Sequence, residues 1–413
     1  MRAQAALLLR GPFGRLVAAR TTSMFGSGLG PVALAFGILA LPHATPTELS
    51  VVQAAYLLPL VLFVLFAGAI ADRRPRLRLV VLADLAGGLS WTGLAVLIGS
   101  GHAPVLALVG LALVAGAGIA LMGPTMSGVV PELAPAGLLQ EANALLRLGL
   151  NAARVLGLAV AGVLVATVGA GWALGINAAS FFISAALVAS LGPGAPVEPT
   201  GTRLLADLRD GAREFFSRQW LWVVVAQFSL IVAVMQASFG VLGPVIMTEN
   251  FDGAPSWSAV VVADALGTIA GAGVAMRLRP RRPLLVATLA TLLYAGPLLL
   301  LGLPVPLVAI VVAAFVSGVG VDVFSVLWET TVQREIPPRL LSRVSSYDWL
   351  GSVSLAPIGI AVAGPLAIAV GARTAELGCA AVALVATALA LMSPQVRRPF
   401  EAARSAAEEP ARL

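Results

Sequence analysis

Residues 68–79 read GAIADRRPRLRL. Five charges occupy the seven positions from Asp72 to Arg78, between the apolar stretches AAYLLPLVLFVLFA and VVLADLAGGLSWTGLAVLIG. The surroundings explain the contrast. The chain has 413 residues, 59% hydrophobic and 11% charged, with a mean hydropathy of +0.96. A soluble protein carries about 25% charged residues. Apolar runs of about twenty residues recur to the end of the chain, which is the pattern of repeated membrane crossing. The stretch 68–79 is therefore a polar hairpin between two spans.

Segmentation predicts spans at 13–40, 47–71, 76–100, 103–130, 139–168 and 171–192, then 220–248, 255–277, 283–303, 305–334, 341–370 and 372–394. This is an all-α membrane protein of twelve transmembrane helices in two pseudo-symmetric six-helix bundles, 1–192 and 220–396. An amphipathic linker at 193–219 joins them and a tail follows at 397–413. In the linker, Leu204, Leu205, Leu208, Ala212 and Phe215 share one helical face, suited to the membrane surface. The net charge is +6, and all 26 basic residues among Lys and Arg are arginine. They gather in loops rather than along a nucleic-acid-binding face, so the expected contact is anionic lipid. Arg-rich loops share one side with both termini. The other side carries Arg373 against Glu48, Glu249, Asp252 and Glu376. That bias predicts a multi-pass protein with both termini cytoplasmic. The N-terminus has too short an apolar stretch for a signal peptide. The single cysteine, Cys379, excludes an internal disulfide.

The halves also repeat. GAIADRRPRLRLVVL from Gly68 aligns without a gap on GVAMRLRPRRPLLVA from Gly273, and LGLAVAGVL at 156–164 echoes IGIAVAGPL at 358–366. Duplicated bundles of this kind typify secondary transporters, with the substrate site near the repeat interface.

The segment Gly68-Ala-Ile-Ala-Asp72-Arg73-Arg74-Pro75-Arg76 resembles the signature loop of the major facilitator superfamily. AARTTSMFGSGLGPVALAF (18–36), QEANALLRLGLNAARVLG (140–157), GWALGINAASFFISAAL (171–187) and the region 328–367 resemble its drug-exporter-like branch, related to enterobactin and macrolide exporters of actinobacterial type. The resemblance implies alternating access in a bacterial inner membrane, driven by an ion gradient, usually protons, with efflux of small amphipathic molecules. Spans 1, 4, 7 and 10 would line the cavity. It also implies features this chain lacks: Ser27 stands where an acidic residue is common, and Gly157-Leu158 replaces an antiporter-type Gly-Pro.

Enzyme chemistry finds no support. There is no P-loop lysine, no metal-spaced His/Cys/carboxylate cluster and no nucleophilic triad. No cofactor is expected. The expected partners are a small-molecule substrate, protons and the lipid bilayer, with no nucleic acid and a monomeric protein. A non-transporting sensor or scaffold of the same fold is the alternative of another class. An importer or a dedicated exporter of one metabolite is the alternative within transport.

Charges inside spans are costly and so informative. Arg154 and Asp264, about 22 Å and 20 Å along their helices from the cytoplasmic ends, are candidates for proton coupling through a pair at mid-membrane depth. A static pair or a hydrated Asp264 is the simpler reading. Asp322 is a third coupling candidate, seven residues from Glu329 on span 10 and nearly on the same face. Arg147, Glu329 and Asp348 join Gly68, Asp72, Arg73 and Arg76 as cytoplasmic-gate candidates, with helix capping the simpler role for Asp348. Arg20 is expected to snorkel or to meet a carboxylate near the inner face. Asp84 reads as a peripheral polar residue. Phe36, Gln227, Met235, Gln236, Phe239, Phe324 and Trp328 are the substrate-cavity candidates, weighed against plain packing.

Overall fold

The computed structural model describes residues 11–71, 74–135, 137–192 and 212–397. Twelve helices among them are long and apolar enough to cross a bilayer. Spans 1 to 6 are Pro12–Leu39, Pro46–Ala71, Arg76–Gly99, Val105–Leu133, Leu139–Val168 and Ala170–Ala189. Span 7 runs Gln219–Asn250 and is interrupted by a π-helical turn at Ser238–Leu242. Span 8 is Ala254–Arg277, span 9 Pro283–Gly302 and span 10 Leu307–Glu335. Span 11 has two pieces, Pro338–Val353 and Ala356–Val370, and span 12 is Ala372–Met392. In hydrocarbon every backbone polar group needs an internal partner, and helices supply one.

Local chemistry sets the boundaries. Pro46 opens span 2, and Thr45 and Glu48 form a reciprocal capping box: Thr45 N–H donates to Glu48 Oε2 at 3.1 Å and Glu48 N–H to Thr45 Oγ1 at 3.4 Å. Gly169 (φ 92°) separates spans 5 and 6, and Gly371 (φ 87°) separates spans 11 and 12. Only glycine takes that backbone cheaply, and the two stand at equivalent places in the repeat. Arginines close helix C-termini: Arg15 Nη1 donates to the carbonyl of Ser190 at 2.9 Å, and Arg218 Nη1 to that of Glu335 at 2.8 Å.

The chain resolves into two compact units. The first holds spans 1–6 together with Phe239–Val262 and Ile360–Ala372. Its core includes Phe13, Leu16, Leu77, Val80, Val129, Leu146 and Val188. Spans 1 and 5 approach closely, with the Cα of Gly157 3.0 Å from a Cβ built at Gly28. The segments from the later half seat in notches on this unit. Ser50 Oγ accepts the amide hydrogen of Gly364 at 2.6 Å. A Cβ at Gly162 would meet Ser258 Oγ at 2.6 Å and the carbonyl of Ala254 at 2.7 Å. Gln53 Nε2 donates to the carbonyl of Gly240 at 3.4 Å.

The second unit holds residues 212–238, 263–359 and 373–397. Its core includes Phe215, Trp220, Leu221, Val224, Leu284, Phe324, Leu327 and Val344. A polar knot pins spans 7, 9 and 12 together: Gln227 Nε2 donates to Thr291 Oγ1 at 2.8 Å and to Thr387 Oγ1 at 3.1 Å. Of the linker expected at 193–219, residues 193–211 lie outside the described residues, as do 398–413 of the tail.

Two expectations change. Asp84 is not peripheral: it is fully buried and paired with Arg20. Glu376 is not in a surface loop: it lies inside span 12 and is fully buried. Both follow from the same physics. An apolar helix looks alike on its lipid and protein faces, so hydropathy does not report which way a polar side chain turns.

Candidate functional site

The second unit contains a cavity of about 240 Å³ between spans 7, 10 and 11. Phe228, Phe324 and Trp328 form a ladder of rings along it. Phe228 and Phe324 stack at 4.5 Å with planes 16° apart, and Phe324 and Trp328 lie at 6.1 Å and 8°. Trp220 abuts Trp328 edge-on at 5.7 Å. Phe324 and Trp328 are one helical turn apart, so their near-parallel rings follow from helix geometry.

Two carboxylates border the same cavity, Glu329 from span 10 and Asp348 from span 11. Trp328 Nε1 donates to Asp348 Oδ2 at 2.9 Å, and Ser352 supplies a second hydrogen bond to Asp348. Asp348 lies within Pro338–Val353, so it does not cap that helix. The bond holds the Trp328 plane and leaves both acids beside an aromatic wall. Ring faces are negative and attract cations, and carboxylates add net charge. The arrangement can therefore hold a flat, apolar or cationic molecule.

Of the expected cavity residues, Phe324 and Trp328 line this space, together with Glu329 and Asp348 from the gate set. Gln227 does not; it is held in the Thr291–Thr387 knot, and its neighbour Phe228 is the one on the cavity. One residue is a turn of about 100° on a helix. Phe228, Trp349 and Ser352 line the cavity too, beyond what the sequence reading selects. Adjacency to Gln227 and Asp348, and a three- to four-residue spacing, are the signals that point to them. Met235 and Gln236 are partly buried on span 7. Phe36 and Phe239 belong to the first unit, where Phe36 packs against Gly253 and Phe239 meets Trp257 edge-on at 5.5 Å.

Asp264 and Asp322 converge within the second unit. Both stand near the buried hydroxyl of Tyr294, which has no hydrogen-bond partner among the described residues. Their helices touch closely: a Cβ at Gly271 would lie 2.8 Å from the Cβ of Asp322. Asp322 Oδ2 is buried without a hydrogen-bond partner. Arg154 is exposed on span 5, in the first unit, as is Arg147. Arg76 lies across Gly128, where an added Cβ would overlap its guanidinium. Gly68 is near the end of span 2, and Asp72 and Arg73 lie outside the described residues.

The first unit has its own buried polar centre. Arg20 Nη1 lies 3.3 Å from Asp84 Oδ1, and Ser184 Oγ donates to Asp84 Oδ2 at 2.6 Å. No group of three or more His, Cys, Asp or Glu able to hold a metal occurs among the described residues.

The profile of a family described as transmembrane secretion effector matches residues 4–412. The multidrug efflux pump Tap of Mycolicibacterium fortuitum is 27% identical over 408 residues, covering 94% of this chain and 97% of the relative. The enterobactin exporter EntS of Citrobacter koseri is 26% identical over 392 residues, covering 94% and 92%. Among solved structures, the nucleoside transporter NupG superposes with a TM-score of 0.72 at 14% identity, over 92% of this chain and 98% of that one.

Proposed function

The chain belongs to the transmembrane secretion effector family of the major facilitator superfamily, and from that premise we propose that it exports small hydrophobic or cationic compounds by proton-coupled alternating access. It is a membrane transporter and not an enzyme. The observation that carries the substrate class is the ring ladder Phe228–Phe324–Trp328 facing Glu329 and Asp348 across one cavity. Desolvated aromatic faces attract organic cations by about 0.5–2 kcal/mol each. Export is the direction of the similar proteins Tap, a multidrug efflux pump, and EntS, an enterobactin exporter. The Asp264–Tyr294–Asp322 cluster offers carboxyls for protons. The bias of arginine toward one set of loops fits a bacterial inner membrane with both termini cytoplasmic.

The likeness to EntS favours a second reading, export of one dedicated metabolite. A pH jump across proteoliposomes, with a panel of dyes and antibiotics, separates the two. Several dyes moving in exchange for protons supports the broad exporter, and Asp264→Asn or Asp322→Asn is expected to weaken the coupling. Movement of none leaves the dedicated exporter, and the absence of proton flux with any small molecule, enterobactin included, supports a sensor or scaffold. Uptake toward the terminal side would make the protein an importer.

A further inference from the structure

Glu376 has no part in the cavity of the second unit, yet its setting is unusual. It sits one turn into span 12 and is 0% exposed. Ser238 Oγ donates to Oε1, while Oε2 has no hydrogen-bond partner among the described residues. Ser238 is itself fully buried and opens the π-helical turn Ser238–Leu242 of span 7. Such turns loosen the backbone ladder and recur at functional positions.

The groups around Glu376 are few. On its own helix, Arg373 stands one turn before it and Cys379 one turn after, the latter near enough to feel its charge. Arg373 makes no ion pair with Glu376, and its Nε is buried without a hydrogen-bond partner among the described residues. From span 7 the facing group is Ser238, which does not titrate. The outer part of span 9 packs at Gly302 on Leu377 and the carbonyl of Arg373, and Ala295–Gly302 carries no titratable side chain. A sealed carboxylate with one bare oxygen costs far more than the sealed acid. The ligand that a fully enclosed carboxyl can hold is a proton.

We propose that Glu376 is a proton-binding group of the transport cycle, held by Ser238, with Arg373 as the counter-charge of its ionised form. In the enclosed state the proton is covalently bound at Oε2. When the site opens, the O–H bond breaks, the electron pair stays on the carboxylate, and water takes the proton as hydronium. Oε1 keeps the Ser238 hydrogen bond and Oε2 takes Arg373. Closure reverses the step. This rests on the proton-coupled reading above and adds a third carboxyl to Asp264 and Asp322, on a different helix.

The test uses the full chain in proteoliposomes, with ethidium as the probe and a trapped pH dye reporting protons. Wild type is expected to accumulate ethidium at least tenfold under a pH gradient. Glu376→Gln is expected to lose that accumulation, while ethidium–ethidium exchange, which needs no net proton movement, persists. Ser238→Ala is expected to shift the pH midpoint of driven transport by half a pH unit or more. It provides the measurement if Glu376→Gln does not fold. Gradient-driven accumulation retained by Glu376→Gln, or an unmoved midpoint in Ser238→Ala, would overturn the assignment and leave the exporter reading standing. A wild type that exchanges ethidium but ignores the pH gradient would overturn both the assignment and the coupling. A wild type that moves no dye would overturn the broad-exporter reading and, with it, this assignment.

Discussion

Gly364 gives its amide hydrogen to Ser50 across 2.6 Å, a bond between residues 314 positions apart. The repeat explains why. Gly364 aligns with Gly162, and each glycine fits the start of another helix: Gly364 against the carbonyl of Pro46 and Ser50, Gly162 against the carbonyl of Ala254 and Ser258. In both notches the partner serine follows the contacted carbonyl by four residues. A side chain at either glycine would strike backbone, which does not move aside cheaply.

Gly364→Val should therefore disfavour the seating of residues 360–372 against span 2. Overpacking costs about 1–3 kcal/mol. With the lone native cysteine, Cys379, replaced by serine, a Phe36→Cys reporter should label with maleimide about tenfold faster in the Gly364→Val background, the factor that about 1.4 kcal/mol supplies. Unchanged labelling would mean that the notch does not hold this seating.

The ladder and the knot make opposite predictions for neighbouring residues. Phe228→Ala should weaken ethidium binding about tenfold, the loss of one desolvated ring worth roughly 1–2 kcal/mol. Gln227→Met should leave it within about twofold, because Thr291 and Thr387 lie 3.1 Å apart and can bond each other. Equilibrium binding on the two purified variants decides. The reverse order would move the site to the other face of span 7.

The pair Arg20–Asp84 is enclosed, so removing one partner strands a charge. Asp84→Ala is expected to cost about 3–5 kcal/mol, whereas a joint Arg20→Met, Asp84→Leu replacement should cost much less. Thermal unfolding in detergent compares them. Equal losses would show that packing volume, and not charge, matters there.

Trp328→Phe keeps a ring in the ladder but removes the donor to Asp348. The affinity for a neutral planar dye should change little. For a cationic dye it should tighten about tenfold, since the carboxylate released from Trp328, though still bonded by Ser352, can pair with the ligand (a charged hydrogen bond is worth about 1.5 kcal/mol or more). Parallel titrations with one dye of each kind read the difference.

Much of this molecule can be read from its order of residues, for reasons visible in particular places. The hairpin at 68–79, the capping pair Thr45–Glu48 and the glycines at 169 and 371 act locally, so spans and turns follow from sequence. The expected starts of spans 3, 5, 9 and 12 agree with the helices found. Rotation about each axis is a different matter. Gln227 and Phe228 are both apolar-run residues on span 7, and choosing the cavity-facing one requires knowing that Thr291 and Thr387 lie behind it. The settings of Asp84 and Glu376 are hidden from sequence in the same way, because their partners Arg20 and Ser238 are 64 and 138 positions distant.

The turn Ser238–Leu242 also bears on how such a chain can change over generations. A π turn is an α-helix with one residue too many. Deleting a single codon between Phe239 and Val241 would restore an unbroken ladder. The wide turn absorbs that extra residue, so the side chains from Gly243 to Asn250 would keep nearly the same faces. What would go is Gly240 itself, and with it the carbonyl that accepts from Gln53. This turn is therefore a place where relatives of the chain can differ in length by one residue while the second half of span 7 stays in register.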